Sequence, residues 1–253
     1  MIQSGMLSVT FRKLTPEEIV DLAVQAKLEA IEWGGDIHVP HGNIAAAIEV
    51  HELTEQAGLV TASYGSYYRA GAADNPAFED VLETAVCLDA PAIRVWAGNR
   101  GSAEADDAWW SRVAEDTIRI AGLAEQAGIE IHYEYHRNTL TDTADATDKL
   151  LGLVNHPNVR SNWQPPTELD AAGRLDSLRR VLPQLANLHV FHWEPGVRLP
   201  LEAGEEQWDD YIRLARMSGA PRYAMLEFVK DDSPQQFLKD AAVLRRLLSG
   251  GGR

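Results

Sequence analysis

Short apolar runs and longer amphipathic stretches alternate along the whole chain, and each such pair has the length of one strand and one helix. Residues 7–11, Leu-Ser-Val-Thr-Phe, form a β-rich run. Thr15-Pro16-Glu17-Glu18 then predicts a helix start, with Thr as the N-cap, Pro in the first turn and an acid placed for a capping box. Ile19, Leu22, Ala23 and Ala26 give that helix one apolar face. The pair recurs as a strand over 30–33 and a helix over 44–56 ended by Gly58, with His38 and His41 in the loop between them. Further pairs follow at 59–64 with 78–88, 92–96 with 109–126, 129–136 with 142–154, 158–164 with 175–182, 188–193 with 205–217, and 223–229 with 234–248. Eight strand-then-helix units with no Pro- or Ser-rich linker match a single (β/α)8 barrel, an α/β fold, occupying residues 1–253 as one domain. An open doubly wound sheet would normally carry a glycine-rich phosphate fingerprint, and neither GxGxxG nor GxxxxGK[ST] occurs. Residues 249–253, Ser-Gly-Gly-Gly-Arg, read as a frayed tail.

Composition narrows the class of partner. With 45% hydrophobic and 24% charged residues the chain has the material for a sizeable core. A formal net charge of -15 disfavours nucleic-acid backbones and anionic membrane surfaces, and favours a neutral small molecule or a cation. The single Cys87 forms no internal disulfide, and the N-terminal residues lack the basic segment and apolar run of a signal peptide. No apolar stretch is long enough to span a bilayer, so the expected location is cytoplasmic. The quaternary state stays open, a homodimer included.

The chemistry is expected where strands end, because in such a barrel the loops converge at the C-terminal ends of the strands. His189-Val-Phe-His192 closes the seventh apolar run, and Glu134 and Glu227 close the fifth and eighth. Carboxylates that end apolar runs are costly to bury without a cation. Glu134, His192 and Glu227 together form a mixed oxygen and nitrogen set suited to Mn²⁺, Mg²⁺, Co²⁺ or Zn²⁺. A structural ion-pair network is the plainer alternative. Trp33, Tyr64, Tyr67, Trp96, Trp163 and Trp193 recur at or just beyond strand ends, as walls for the apolar faces of a sugar or as ordinary core. His38 and His41 are either ligand contacts or loop staples. His136 either orients Glu134 or caps its loop.

Glu134 followed two residues later by His136, the His-x-x-His run at 189–192 with Arg198 six residues beyond it, and Glu227 ending the eighth run resemble the xylose isomerase-like barrel superfamily, which holds sugar isomerases, ketose 3-epimerases and endonuclease IV. The resemblance implies a metal held by Glu, Asp, His and Glu from strands five to eight, with the two Glu also handling the proton. It carries Glu134, His192 and Glu227 onto those positions and Arg198 onto the substrate-oxygen position. Gln164 stands where the family has Asp, and Thr167 where a His follows. A Gln carbonyl still binds a divalent ion but removes one negative charge, which lowers the expected affinity.

The resulting expectation is an isomerase or epimerase that transfers a proton next to the carbonyl of a non-phosphorylated sugar or keto-sugar, with Glu134 and Glu227 as the catalytic pair. His38, Tyr64, Trp96, His136, Trp193 and Arg198 are the expected substrate contacts. Elimination from a keto-sugar shares the same first step, so a lyase stays open, as does a non-catalytic sugar-binding relative. The acidic charge argues against a nuclease for abasic DNA.

Overall fold

The computed structural model describes residues 1–217, 219 and 222–250. Residues 251–253 of the expected tail lie outside them. Parallel strands close into a barrel in the order β1 (Gln3–Leu7), β10 (Tyr223–Leu226), β7 (Leu185–Val190), β6 (Val159–Trp163), β5 (Glu130–Tyr133), β4 (Ala92–Trp96), β3 (Val60–Arg69) and β2 (Ala30–Gly34). Each barrel strand is followed by a helix: α1 (Pro16–Gln25), α2 (Ile44–Gln56), α3 (Phe78–Cys87), α4 (Asp107–Gln126), α5 (Ala144–Val154), α6 (Ala171–Val181), α7 (Glu205–Met217) and α8 (Pro234–Leu248). This is the (β/α)8 barrel that the alternation of runs predicts. Among the described residues no helix is long and apolar enough to cross a membrane.

Local chemistry sets the helix starts. Thr15 accepts from the Glu18 N–H while the Glu18 carboxylate accepts from the Thr15 N–H, the reciprocal cap read from the sequence. Asp106, Thr143, Asp170 and Ser233 cap α4, α5, α6 and α8 in the same way from one side.

Two stretches differ from expectation. Residues 8–11 are a 3₁₀ helix rather than a strand, because hydroxyls take over the backbone bonding there. Ser8 Oγ accepts the Gly34 N–H at 2.9 Å, and Thr10 Oγ1 accepts the Phe228 N–H at 3.2 Å. The seventh strand ends at Val190, and His192 opens an antiparallel hairpin, β8 (His192–Glu194) with β9 (Val197–Leu199), that stands at the barrel mouth.

The core has two compartments. Side chains on the outer face of the strands, among them Ile31, Ile93, Val95, Ile131, Leu188, Val190 and Leu226, pack against the helices in one large cluster. Leu7, Val9, Ala30, Ala62 and Met225 form a small apolar plug on the barrel axis. Above that plug, the same inward parity brings polar residues onto the axis.

Candidate metal and active site

Strand register decides which residues meet. Met225, part of the axial plug, is paired with His189, while Leu226 and Val190, paired one step on, both face the helices. In parallel neighbours such partners share a face, so His189 points into the barrel. Glu227 follows Met225 by two residues and shares its direction. Its N–H donates to the Val190 carbonyl, and the Glu134 N–H donates to the Val95 carbonyl, so both carboxylates are mounted on continuing barrel ladders.

Ligating atoms of Glu134, His189 and Glu227 lie within 4.8 Å of one another, and all three residues are buried. His189 Nδ1 is 3.2 Å from Gln164 Oε1, 3.5 Å from Glu227 Oε2 and 4.0 Å from Glu134 Oε1. Nε2 of the same ring lies 3.3 Å from the Asn162 amide. One ring nitrogen carries at most one hydrogen, so it cannot serve three oxygen acceptors at once. A divalent cation among the four donors would satisfy all of them, and an arrangement of carboxylate, amide and imidazole fits such an ion.

A buried charge network supports the cluster from below. Arg94 Nε is 2.7 Å from Glu32 Oε1, and its Nη1 is paired with Glu134 Oε2. Arg94 and Glu32 are each 1% exposed. Trp96 Nε1 also donates to Glu134 Oε2, and the Ser63 hydroxyl donates to Glu32. Gly65 leaves room for this pair, since a Cβ there would stand 2.6 Å from Arg94 Nη2 and 2.8 Å from Glu32 Oε1. Burial alone would raise the Glu134 pKa, but the charges of Arg94, His189 and His136 outweigh it and hold the group below its ordinary value. Burial pulls the His189 pKa down, and the surrounding carboxylates, Glu227 first, raise it on balance.

Beside the cluster lies a cavity of about 460 Å³ at the barrel mouth, lined in part by His136, Gln164, Trp193, Arg198 and Phe228. Arg198 is clasped between the Trp193 and Phe228 rings, 5.1 and 4.9 Å from their centroids, and its Nη1 is 2.6 Å from Asp232 Oδ1. His136 stacks on Trp96 with ring centroids 4.6 Å apart. Phe228, Asp231 and Asp232, in the loop after β10, have left-handed φ of 45°, 59° and 47°.

Several sequence expectations are corrected by this geometry. His192 is not the imidazole of the cluster. Its ring packs against Gly204, on the far side of the chain from His189, and burial together with the Arg174 charge lowers its pKa. His38 has both ring nitrogens engaged by the chain, Nδ1 at 2.9 Å from Ser8 Oγ and Nε2 at 3.2 Å from the Leu14 carbonyl, so it staples the first two units. Tyr64 is fully buried and donates to the Val39 carbonyl at 2.7 Å, which places it in the outer core with Trp33 and Trp163. Arg94 and Glu32 were not anticipated. Their signal was a charge inside an otherwise apolar strand run, Ala92-Ile-Arg-Val-Trp96 and Ala30-Ile-Glu-Trp33.

A direct check separates the two histidines. The protein with millimolar Mn²⁺ is expected to melt about 5–10 °C higher when the ion is present at roughly a hundred times its Kd, since binding then adds about 2.7 kcal/mol. His189→Ala should abolish that metal-dependent rise while His192→Ala retains it. Retention in His189→Ala would remove the imidazole from the ligand set.

Comparison with known proteins places the chain among relatives. Residues 20–247 match the family model described as xylose isomerase-like TIM barrel. A 103-residue stretch is 32% identical to a 3-dehydroshikimate dehydratase of Bacillus anthracis, covering 38% of this chain and 35% of that protein. The probable 3-DHS dehydratase involved in petrobactin synthesis from the same organism superposes with a TM-score of 0.79 at 22% identity, covering 97% of this chain and 99% of that one. The D-psicose 3-epimerase of Clostridium cellulolyticum H10 superposes with a TM-score of 0.76 at 15% identity, over 98% and 99%. A xylose isomerase-like barrel protein of Mycobacterium smegmatis in complex with magnesium gives 0.78 at 15% identity, over 98% and 97%. At these identities the solved structures speak for the fold.

Proposed function

Because the chain belongs to the xylose isomerase-like TIM barrel family, we propose that it is a divalent-metal-dependent isomerase or epimerase that moves a proton next to the carbonyl of a sugar or keto-sugar. The observation that carries this reading is the convergence of Glu134 and Glu227, from two separate strands, on one nitrogen of His189. Glu134, Gln164, His189 and Glu227 would hold the cation. A divalent ion there would draw electron density from a substrate carbonyl and ease loss of the neighbouring proton.

The chain's own groups divide the remaining work. Glu227 is the base: among the described residues its ion-pair partner is His189, and no arginine engages its carboxylate. Glu134 presents Oε1 to the site, because Arg94 and Trp96 occupy Oε2. In the isomerase or epimerase reading it returns the proton. Trp193 and Phe228 wall the cavity, and Arg198 reaches substrate hydroxyls from between them. The buried setting limits water, so a proton taken from carbon goes back to substrate rather than to solvent.

A second reading is dehydration of a polyhydroxylated ketone. Two observations favour it: the match to a 3-dehydroshikimate dehydratase, and the engagement of Glu134 Oε2, which leaves one carboxylate freer than the other. Elimination needs one carboxylate to remove the α-proton; that carboxyl, now protonated, returns the proton to the β-hydroxyl, which leaves as water.

The test is a panel of D-fructose, D-tagatose, L-ribulose and 3-dehydroshikimate in D₂O with Mg²⁺ supplied. An isomerase or epimerase gives a rearranged or inverted sugar carrying deuterium at the reacting carbon. A dehydratase gives a conjugated, ultraviolet-absorbing product. Absence of carbon-bound deuterium and of product from every member would sink both readings.

A further inference from the structure

A half-buried guanidinium at the end of β3 has no polar partner among the described residues. Arg69 ends β3, and its Nε is buried without a hydrogen-bond acceptor. None of its guanidinium nitrogens has an acceptor or a carboxylate partner among the described residues. Three arginines at the same end of the barrel are engaged by acids: Arg12 with Asp36, Arg94 with Glu32 and Glu134, and Arg198 with Asp232. In a chain of net charge -15, where Arg12, Arg94 and Arg198 each meet an acid, a half-buried guanidinium whose Nε is buried without an acceptor is out of pattern.

The strand aims it at the site. The β3–β4 register shifts between Gly65 and Arg69, and Tyr67 within that bulge has φ of 57°. Bulges of this kind re-aim side chains beside active sites. After the shift Arg69 is paired with Trp96, so the two project on the same side of the sheet. The guanidinium lies over the Trp96 ring at 5.1 Å, and Trp96 Nε1 donates to Glu134. Asn75 clamps the backbone from both sides, accepting the Arg69 N–H at 2.8 Å and donating to its carbonyl at 2.7 Å. The position is built, and one aromatic ring separates it from Glu134.

We propose that Arg69 binds a carboxylate of the substrate, so that the enzyme acts on a polyhydroxylated keto acid rather than on a neutral sugar. The inference rests on the enolising activity proposed above and adds the charge of the molecule it takes. A planar guanidinium already seated over a ring offers two parallel N–H donors to a planar carboxylate. A phosphate dianion is a poorer fit, since one guanidinium in a chain of net charge -15 leaves half of its charge or more unmatched. The carboxylate end of the substrate would lie towards the β3–β4 side of the mouth and its carbonyl end towards His189.

The experiment measures deuterium incorporation at carbon, with Mg²⁺ supplied, for tagaturonate, fructuronate and a cyclic keto acid, each beside its methyl ester, and for the neutral ketoses. The wild-type protein is expected to favour an acid over its ester by about 30-fold or more in kcat/KM, the size of a hydrogen-bonded ionic contact. Arg69→Gln should bring that acid-to-ester ratio close to one, mainly through KM, and Arg69→Lys should restore part of it. A ratio near one in the wild type, or one that Arg69→Gln leaves intact, overturns the proposal. Exchange of neutral ketoses alone overturns it while leaving the enolising activity standing. No exchange with any compound overturns that activity and this inference together.

Discussion

Glu227→Gln is expected to lower kcat/KM by about 10³-fold or more while leaving the fold in place, at the upper part of the range for loss of a general base. The amide has the size of the carboxylate, and Glu227 is 6% exposed on a strand whose ladder it extends, so no cavity opens. What disappears is a negative oxygen 3.5 Å from His189 Nδ1. A site that also holds Glu134 loses like-charge repulsion, so the melting temperature without metal should stay level or rise slightly. The assay is carbon-bound deuterium from D₂O on whichever panel member the wild-type protein processes, run beside a thermal melt. A variant with near wild-type exchange would transfer the base role away from Glu227.

The largest stability effect is expected at Arg94. Arg94→Met keeps most of the volume but leaves Glu32 and Glu134 facing each other across the barrel without their cation. Removing one partner of a buried ion pair typically costs about 3–5 kcal/mol, which for a chain of this size lowers the melting point by roughly 6–20 °C. Adding Glu32→Gln to the variant should recover part of the loss, because the amide no longer carries an unmatched charge. Thermal unfolding of both single variants and the double closes the cycle. A loss under about 1 kcal/mol in Arg94→Met, within the range of an exposed pair, would mean that solvent reaches the network.

Much of this is open to reading from residue order, and what is not has two separate causes. Apolar runs and capping residues locate the barrel units because burial and hydrogen bonding act locally; Thr15 with Glu18 is the clearest case. Glu134, Gln164 and Glu227 come together as their places at strand ends suggest. Strand parity in the sequence distinguishes His189 from His192. Leu188 and Val190 alternate with Asn187 and His189, and the face of a barrel strand turned to the helices is the apolar one, so the polar parity is the axial one. His192 shares the parity of Leu188 and Val190 and lies beyond the last barrel residue. The Glu32–Arg94–Glu134 network is of another kind. Its members are 62 and 40 residues apart, on strands that do not all neighbour one another, and nothing in local spacing joins them.

The left-handed residues after β10 carry a consequence for any attempt to make the protein hardier. Each non-glycine residue in that region of backbone space costs on the order of 1 kcal/mol, and Asp231 and Asp232 stand side by side there. A laboratory selection for heat resistance would therefore find glycine at both positions among its cheapest gains. The two gains are not equivalent. Asp231 has no hydrogen-bond or ion-pair partner among the described residues, so glycine there relieves backbone cost alone. Asp232 holds Arg198 between its two rings, and glycine there would free the guanidinium to wander from the cavity it lines. Durability and turnover are thus separable at one residue and opposed at the next.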